Sequence, residues 1–322
     1  MPDASILEAL AYLNLVFEED SMQILITGGT GFIGKALVKQ LIPSHVTVLT
    51  RSADKARAQF KHLNSNTYDL IESLDELKDL SAFDAVVNLA GEPIADRRWS
   101  SLQKKRICDS RWDVTEKLVS LMHASDTPPK VFISGSAVGI YGDQQHNTVD
   151  ERSEYPEQGF PHKVCAQWEE IAMQAQNDQT RVCLLRTGIV LGSNGGALGK
   201  MLLPYKLGLG GPLGSGKQYM PWIHIQDMVR AIQFLIESPQ AKGVFNLTAP
   251  HPVPNKEFSQ TLAKTLSRPH FLFTPQPMMK LLMGESSCLL FDSVNAKPVR
   301  LTEMGFKFTY SRLQPALQQI LN

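Results

Sequence analysis

Apolar residues fall along the chain in short runs separated by stretches of helical spacing. Residues 22–27 (MQILIT) form an apolar run that ends on glycines, and residues 32–41 then recur apolar at helical intervals. Further runs follow at 46–50, 68–71, 84–89, 131–134, 181–186 and 244–247, with helical patterns at 102–123, 163–176 and 225–236. Runs without in/out alternation, spaced by helices, predict an α/β protein with a parallel sheet covered on both faces, a Rossmann-type doubly wound fold. From 191 to 220 the pattern breaks. Nine glycines with Pro204 and Pro212 predict loops around one helix outside the sheet. A last helix is expected at 313–321. The expected organisation is an N-terminal extension (1–21) and a nucleotide-binding domain (22–190, completed by about 222–248). A smaller substrate lobe is expected from 191–221 and 249–322.

Charge changes this picture in one place. The chain of 322 residues carries 32 Lys+Arg and 32 Asp+Glu, a net charge of zero. Residues 1–21 hold five of the acids and no Lys or Arg, so the remainder is mildly basic. Ile6, Leu7, Leu10, Leu13 and Phe17 predict a short amphipathic helix there, and an upstream extension of the reading frame is the alternative. No run of 18 apolar residues exists, which excludes a membrane-spanning helix. Four cysteines without CxxC spacing argue for a reducing compartment, and a cytoplasmic location is expected. No histidine pattern suggests a metal.

The most informative stretch is Thr27-Gly28-Gly29-Thr30-Gly31-Phe32-Ile33-Gly34. Gly28, Gly31 and Gly34 stand between a predicted strand and a predicted helix, the context a dinucleotide fingerprint requires. One glycine permits the turn, the next lets a pyrophosphate approach the backbone, and the third lets helix and strand pack closely. The free N–H groups of Thr30, Gly31, Phe32 and Ile33 open the helix toward an anion. At the end of the second run stands Thr50-Arg51-Ser52, with no acid for a ribose 2′-hydroxyl. An arginine there suits a 2′-phosphate, so NADP(H) is expected over NAD(H).

These residues resemble the extended short-chain dehydrogenase/reductases, the NAD(P)-dependent epimerase/dehydratase type. Asn88-Leu89-Ala90-Gly91, Ser134-Gly135-Ser136, Leu185-Arg186-Thr187-Gly188 and the block 222–227 carry the likeness. The phrases Gly91-Glu92-Pro93-Ile94, Ser110-Arg111-Trp112 and Gly305-Phe306-Lys307-Phe308 narrow it to the branch called epimerase family proteins. Its C-terminal part of unknown function would cover roughly 268–321. The resemblance implies that Leu89, Ala90, Gly91, Ser134 and Arg186 lie against the cofactor. It also implies an oxidoreductase or epimerase-like reaction on a small molecule. The wider superfamily uses Tyr-x-x-x-Lys, yet none of the seven tyrosines has Lys four residues later. In the matching segment Lys163 survives but Gly159 holds the tyrosine position, and in the neighbouring register the pair reads Phe160 and Val164. Arg111, four residues before Thr115, replaces the usual asparagine and suits an anion, in the cofactor or in the substrate. Ser136, Tyr141 and Lys163 (with His162 beside it) are the candidates for the missing acid/base work. Each also has a plain reading, as a strand-end hydroxyl, a packing phenol and a surface cation. A non-catalytic NADP(H)-binding sensor or scaffold is the rival function.

Two further signals are set aside. The basic stretch 97–117 is interleaved with acids, so a solvated helix face is expected and no nucleic acid partner. Gly211 to Gln218 approaches a P-loop, but Gln218 stands where Ser or Thr is needed. A lobe loop is expected there, with Lys217 and Gln218 near the substrate.

Overall fold

The computed structural model describes residues 21–193 and 195–322. The helix expected within 1–21 therefore falls outside the described residues, which include only Ser21 of that segment. Seven strands form one sheet: β1 (Gln23–Thr27), β2 (His45–Leu49), β3 (Tyr68–Ile71), β4 (Ala85–Asn88), β5 (Val131–Ala137), β6 (Arg181–Thr187) and β7 (Gly243–Leu247). Their order is β7-β6-β5-β4-β1-β2-β3, and every neighbouring pair is parallel. The helices of the sheet are α1 (Phe32–Gln40), α2 (Ala53–Phe60), α3 (Ser101–His123) and α4 (Gly159–Met173). Outside it lies α5 (Gly196–Lys206), and α6 (Ile225–Glu237) returns to cover it.

The inner strands are buried on both faces, which is why their sequences read as apolar runs, while the edge strand β3 buries none of its four residues fully and exposes Asp69. Ile24, Ile26, Val46, Val48 and Ile133 face Leu37 of α1 and Ile232 of α6. Leu25, Val86, Phe132, Val182 and Leu184 face Leu118 of α3 and Ile171 of α4. Helix α2 was hidden by its composition: only Ala56 and Phe60 of its eight residues are buried. Strand β5 runs three residues past the expected end, through Gly135 and Ser136 to Ala137.

The chain leaves β1 toward β2 and β3 on one side and returns to β4 on the other. The crevice outside the carboxyl ends of β1 and β4 is therefore the switch point, where doubly wound sheets bind ligands. The strand register sets a polar row beside it. Thr27 pairs with Asn88 and Asn88 with Ser134, while Ser136 pairs with Arg186 and Arg186 with Asn246.

The rest builds on this frame. Helices α7 (Asn255–Thr265), α8 (Gln276–Met283) and α9 (Leu313–Leu321) follow β7. Leu198 of α5, Phe258 and Leu262 of α7 and Leu313 and Leu317 of α9 share a second core with Trp222. Two-residue strands tie the tail back: Asn295–Ala296 pairs with Thr148–Val149, and Val253–Pro254 with Tyr219–Met220. Among the described residues, no helix is long and apolar enough to cross a membrane.

Candidate functional site

The turn after β1 has the backbone its glycines predict. Gly28 adopts φ +70°, and a Cβ there would lie 2.5 Å from the Leu89 carbonyl oxygen. A Cβ on Gly34 would lie 2.2 Å from the Gly28 carbonyl oxygen, so only glycine lets α1 sit this close to the strand. Gly31 is exposed and is the N-cap of α1, with no side chain accepting from the first turn and no acid within it. The helix end therefore presents uncapped N–H groups to the crevice. Phe32 and Ile33 turn their side chains toward the core. Gly192, Gly195 and Gly196 close over the Phe32 ring, a contact that gives part of the glycine-rich stretch a purpose the sequence did not reveal.

At the end of β2, the Thr50 hydroxyl accepts from the Ser52 amide at 3.3 Å, and Arg51 is exposed with no ion pair among the described residues. Sequence reasoning missed Glu72. Its carboxylate accepts from the Ala53 amide at 2.6 Å and so occupies the N-terminus of α2.

Beyond β4, Ala90 donates its amide to the Thr27 hydroxyl at 3.3 Å, fixing Leu89, Ala90 and Gly91 beside the glycine turn. Thr27 donates to Asn88 (2.6 Å), whose amide donates to Thr115 (2.8 Å), and Trp168 donates its indole N–H to the same hydroxyl (2.9 Å). This chain of bonds locks β1, β4, α3 and α4 together under the crevice. Arg111 lies above it, one turn before Thr115. A Cβ on Gly91 would lie 2.9 Å from its guanidinium carbon. The guanidinium donates to the carbonyl oxygens of Glu92 and Ile107, both at 3.0 Å, and packs 5.3 Å from the Trp168 ring. No carboxylate pairs with it among the described residues. Burial lowers its pKa below the ordinary arginine value.

The fifth- and sixth-strand residues form a separate cluster. Ser136 donates to Glu169 of α4 at 2.6 Å. Glu169 accepts two bonds from Arg186, at 2.9 and 2.8 Å, and Arg186 is only 4% exposed. Arg186 also donates to the hydroxyls of Tyr141 (3.2 Å) and Tyr155 (2.8 Å). Burial weighs against the Arg186 charge, but the bonded Glu169 carboxylate outweighs it and holds the pKa above the usual value. Tyr141 is fully buried and donates to Asn246 at 2.8 Å, and burial pushes its phenol up to about 12. Ser134 is fully buried as well. Glu169, which completes this cluster, carries no local signal in the sequence.

Lys163 stands apart. It is exposed on the outer side of α4, at a cavity of about 480 Å³ shared with Lys104, Lys105 and Trp112. His162 is buried and its Nδ1 lies 2.7 Å from the Ile140 carbonyl oxygen. Phe160 and Val164 join Trp99, Ile107 and Leu289 in one apolar cluster, with the Trp99 and Phe160 rings 5.0 Å apart. Cys165 of α4 also lies beside Ser136, and burial raises its thiol to about 11. Neither register compared in the sequence therefore brings an ionisable pair to the end of β5. Lys104, Lys105 and Lys117 of the basic stretch pair with Glu285, Asp109 and Asp75. In the P-loop-like segment Gln218 is buried and its amide donates to the carbonyls of Leu213 and Leu290.

Comparison with known proteins identifies the family of this fold. The model of the NAD dependent epimerase/dehydratase family matches residues 24–248, and a domain of unknown function, DUF1731, matches 274–320. An Arabidopsis thaliana protein named epimerase family protein SDR39U1 homolog, chloroplastic, is 40% identical over 94% of this chain and 88% of its own. An epimerase family protein of Staphylococcus haemolyticus is 38% identical over 93% of this chain and 99% of its own. The crystal structure of human epimerase family protein SDR39U1 (isoform 2) with NADPH superposes with a TM-score of 0.84 at 34% identity, covering 93% of this chain and 99% of that one. The chain thus belongs to the NAD dependent epimerase/dehydratase family, among the SDR39U1-like epimerase family proteins that end in DUF1731.

Proposed function

We propose that this protein binds NADP(H) in the switch-point crevice and exchanges hydride with a small molecule held over the ends of β4 and β5. The observation that carries this reading is the uncapped, acid-free N-terminus of α1 behind the exposed Gly31. A pyrophosphate fits there against the amides of Thr30, Phe32 and Ile33, the Gly31 amide being spent on the Gly28 carbonyl oxygen at 3.0 Å. In this reading Arg51, with Thr50 and Ser52, holds the 2′-phosphate, and Leu89 to Gly91 flank the ribose. The human relative's crystal structure with NADPH supports NADP(H) as a ligand of this crevice. When bound, the nicotinamide supplies the hydride. The chain's residues position it and exclude water, with Trp99, Ile107 and Val164 as a dry wall. In this reading Tyr141 anchors Arg186 and Lys163 belongs to the surface. Ser136 alone of the three candidates stays at the end of β5, with its proton directed to Glu169.

Titration tests the cofactor assignment. Arg51→Ala is expected to weaken NADPH about ten- to a hundredfold, the worth of a charge-assisted phosphate contact, and to leave NADH unchanged. Tighter binding of NADH than NADPH by the unaltered protein would overturn it.

A second reading is a non-catalytic NADP(H) sensor or scaffold, favoured by the apolar Phe160 and Val164 where an acid/base pair is expected. Incubating the NADPH-loaded protein with a panel of aldehydes and ketones separates the two. Loss of the reduced-nicotinamide absorbance supports the enzyme. Persistence of NADPH across the panel supports the sensor.

A further inference from the structure

Eleven large apolar side chains are exposed among the described residues, and nine of them fall within 203–209 and 271–282. Leu203, Leu207 and Leu209 stand on α5 and the turn after it, Phe271 and Phe273 on the loop before α8, and Leu281, 77% exposed, on α8 itself. The two segments run side by side. Thr274 donates its amide to the Pro212 carbonyl oxygen at 3.1 Å, and its own carbonyl accepts from the Gly214 amide at 2.9 Å. A Cβ on Gly211 would lie 1.6 Å from the Leu272 carbonyl oxygen, and one on Gly208 would lie 4.0 Å from the Pro269 ring. Helix α8 follows at once and buries none of its eight residues. The exposed side chains thus share a face of roughly 1,000 Å², where the largest apolar patch of a monomer usually measures a few hundred Å².

The charge on these segments has one sign. Residues 195–226 and 258–284 contain no Asp or Glu. Lys206 stands between Leu203 and Leu207, Arg268 just before Pro269, and Lys280 beside Leu281. All three are exposed, and none is in an ion pair among the described residues. We propose that this face docks on an anionic phospholipid surface, with Phe271, Phe273 and Leu281 entering the acyl boundary and Lys206, Arg268 and Lys280 on the phosphates. The attachment is peripheral and needs neither the cofactor nor the reaction proposed above. Cations interleaved with apolar side chains suit a layered partner, because long basic side chains reach headgroups while their stems lie on hydrocarbon. A second copy of the chain fits less well. A two-fold interface would set these cations against their own copies with no carboxylate between them.

The test is cosedimentation of the full chain with vesicles of mixed phosphatidylglycerol and phosphatidylcholine, against vesicles of phosphatidylcholine alone. At low salt, binding at least about tenfold tighter to the anionic vesicles is expected from three cations near a charged surface, and added salt should weaken it. Phe271→Ser, Phe273→Ser and Leu281→Ser combined should weaken binding about tenfold or more, with the urea midpoint unchanged because the side chains removed are exposed. Lys206→Glu, Arg268→Glu and Lys280→Glu combined should abolish the preference for phosphatidylglycerol, and this variant decides alone if the serine variant fails to fold. Equal binding to both vesicles, binding to neither, or a folded serine variant that binds like the wild type overturns the proposal. A wild-type dimer in sedimentation equilibrium that the serine substitutions split, with no vesicle binding, assigns the face to a second copy and likewise overturns it.

Discussion

Two arginines lie beneath the ends of the strands, and their surroundings are opposite. Arg186 on β6 is enclosed by Glu169, Tyr141 and Tyr155, and its charge is balanced within 3 Å. Arg111 on α3 is held by main-chain carbonyls and one hydroxyl, with no acid at ion-pair distance among the described residues. The first closes a circuit: a buried cation with a bidentate carboxylate presents no net charge outward. The second leaves a positive field at the crevice, because carbonyl dipoles orient a guanidinium without neutralising it. Both were candidates for holding the cofactor, Arg186 on resemblance and Arg111 because a guanidinium suits an anion. Their partners show that Arg186 ties α4 to the sheet, and that Arg111 has no counter-charge at ion-pair distance among the described residues.

The largest expected effect tests the closed circuit. Glu169→Gln keeps the shape but leaves the Arg186 charge buried without a counter-ion. Breaking such a pair from one side costs about 3–5 kcal/mol, read as a lower urea midpoint with an unchanged slope. A loss below about 1 kcal/mol would mean that water or another acid reaches Arg186, and the contrast with Arg111 would collapse. Tyr141→Phe is the milder version. It strips Arg186 and Asn246 of one partner each, and a cost of about 1–3 kcal/mol is expected with NADPH affinity unaltered. A tenfold loss of NADPH affinity in that variant would return Tyr141 to the ligand site.

What could be read from the sequence divides along the same line. The inner strands were legible because they are buried on both faces and need apolar runs, and the glycine turn because its backbone admits few residue types. Tyr68–Ile71 was found to the residue despite its weak pattern. Helix α2 was not, since a helix that buries two side chains carries almost no periodic signal. The cluster around Arg186 was beyond reach for another reason. Glu169 lies 17 residues from Arg186 on a different element, and Asn246 lies 105 residues from Tyr141. Such partners meet only through the strand register and the packing of α4.

The smallest expected effect is the sharpest test of the open side. Arg111→Leu removes two charge-assisted hydrogen bonds at 3.0 Å, worth about 1.5–3 kcal/mol each, and one weak contact at 3.4 Å. It also removes the desolvation of a charge whose pKa burial already lowers. It strands no buried carboxylate, since none is paired with it. These terms oppose one another, so stability should change by no more than about 1 kcal/mol in either direction, against the several lost at Glu169. A destabilisation of Arg111→Leu comparable to that of Glu169→Gln would show that the guanidinium is needed to hold β4 to α3. Near-neutrality, together with loss of anion binding, would mean that the charge is kept for a ligand, because the fold itself gains nothing from it.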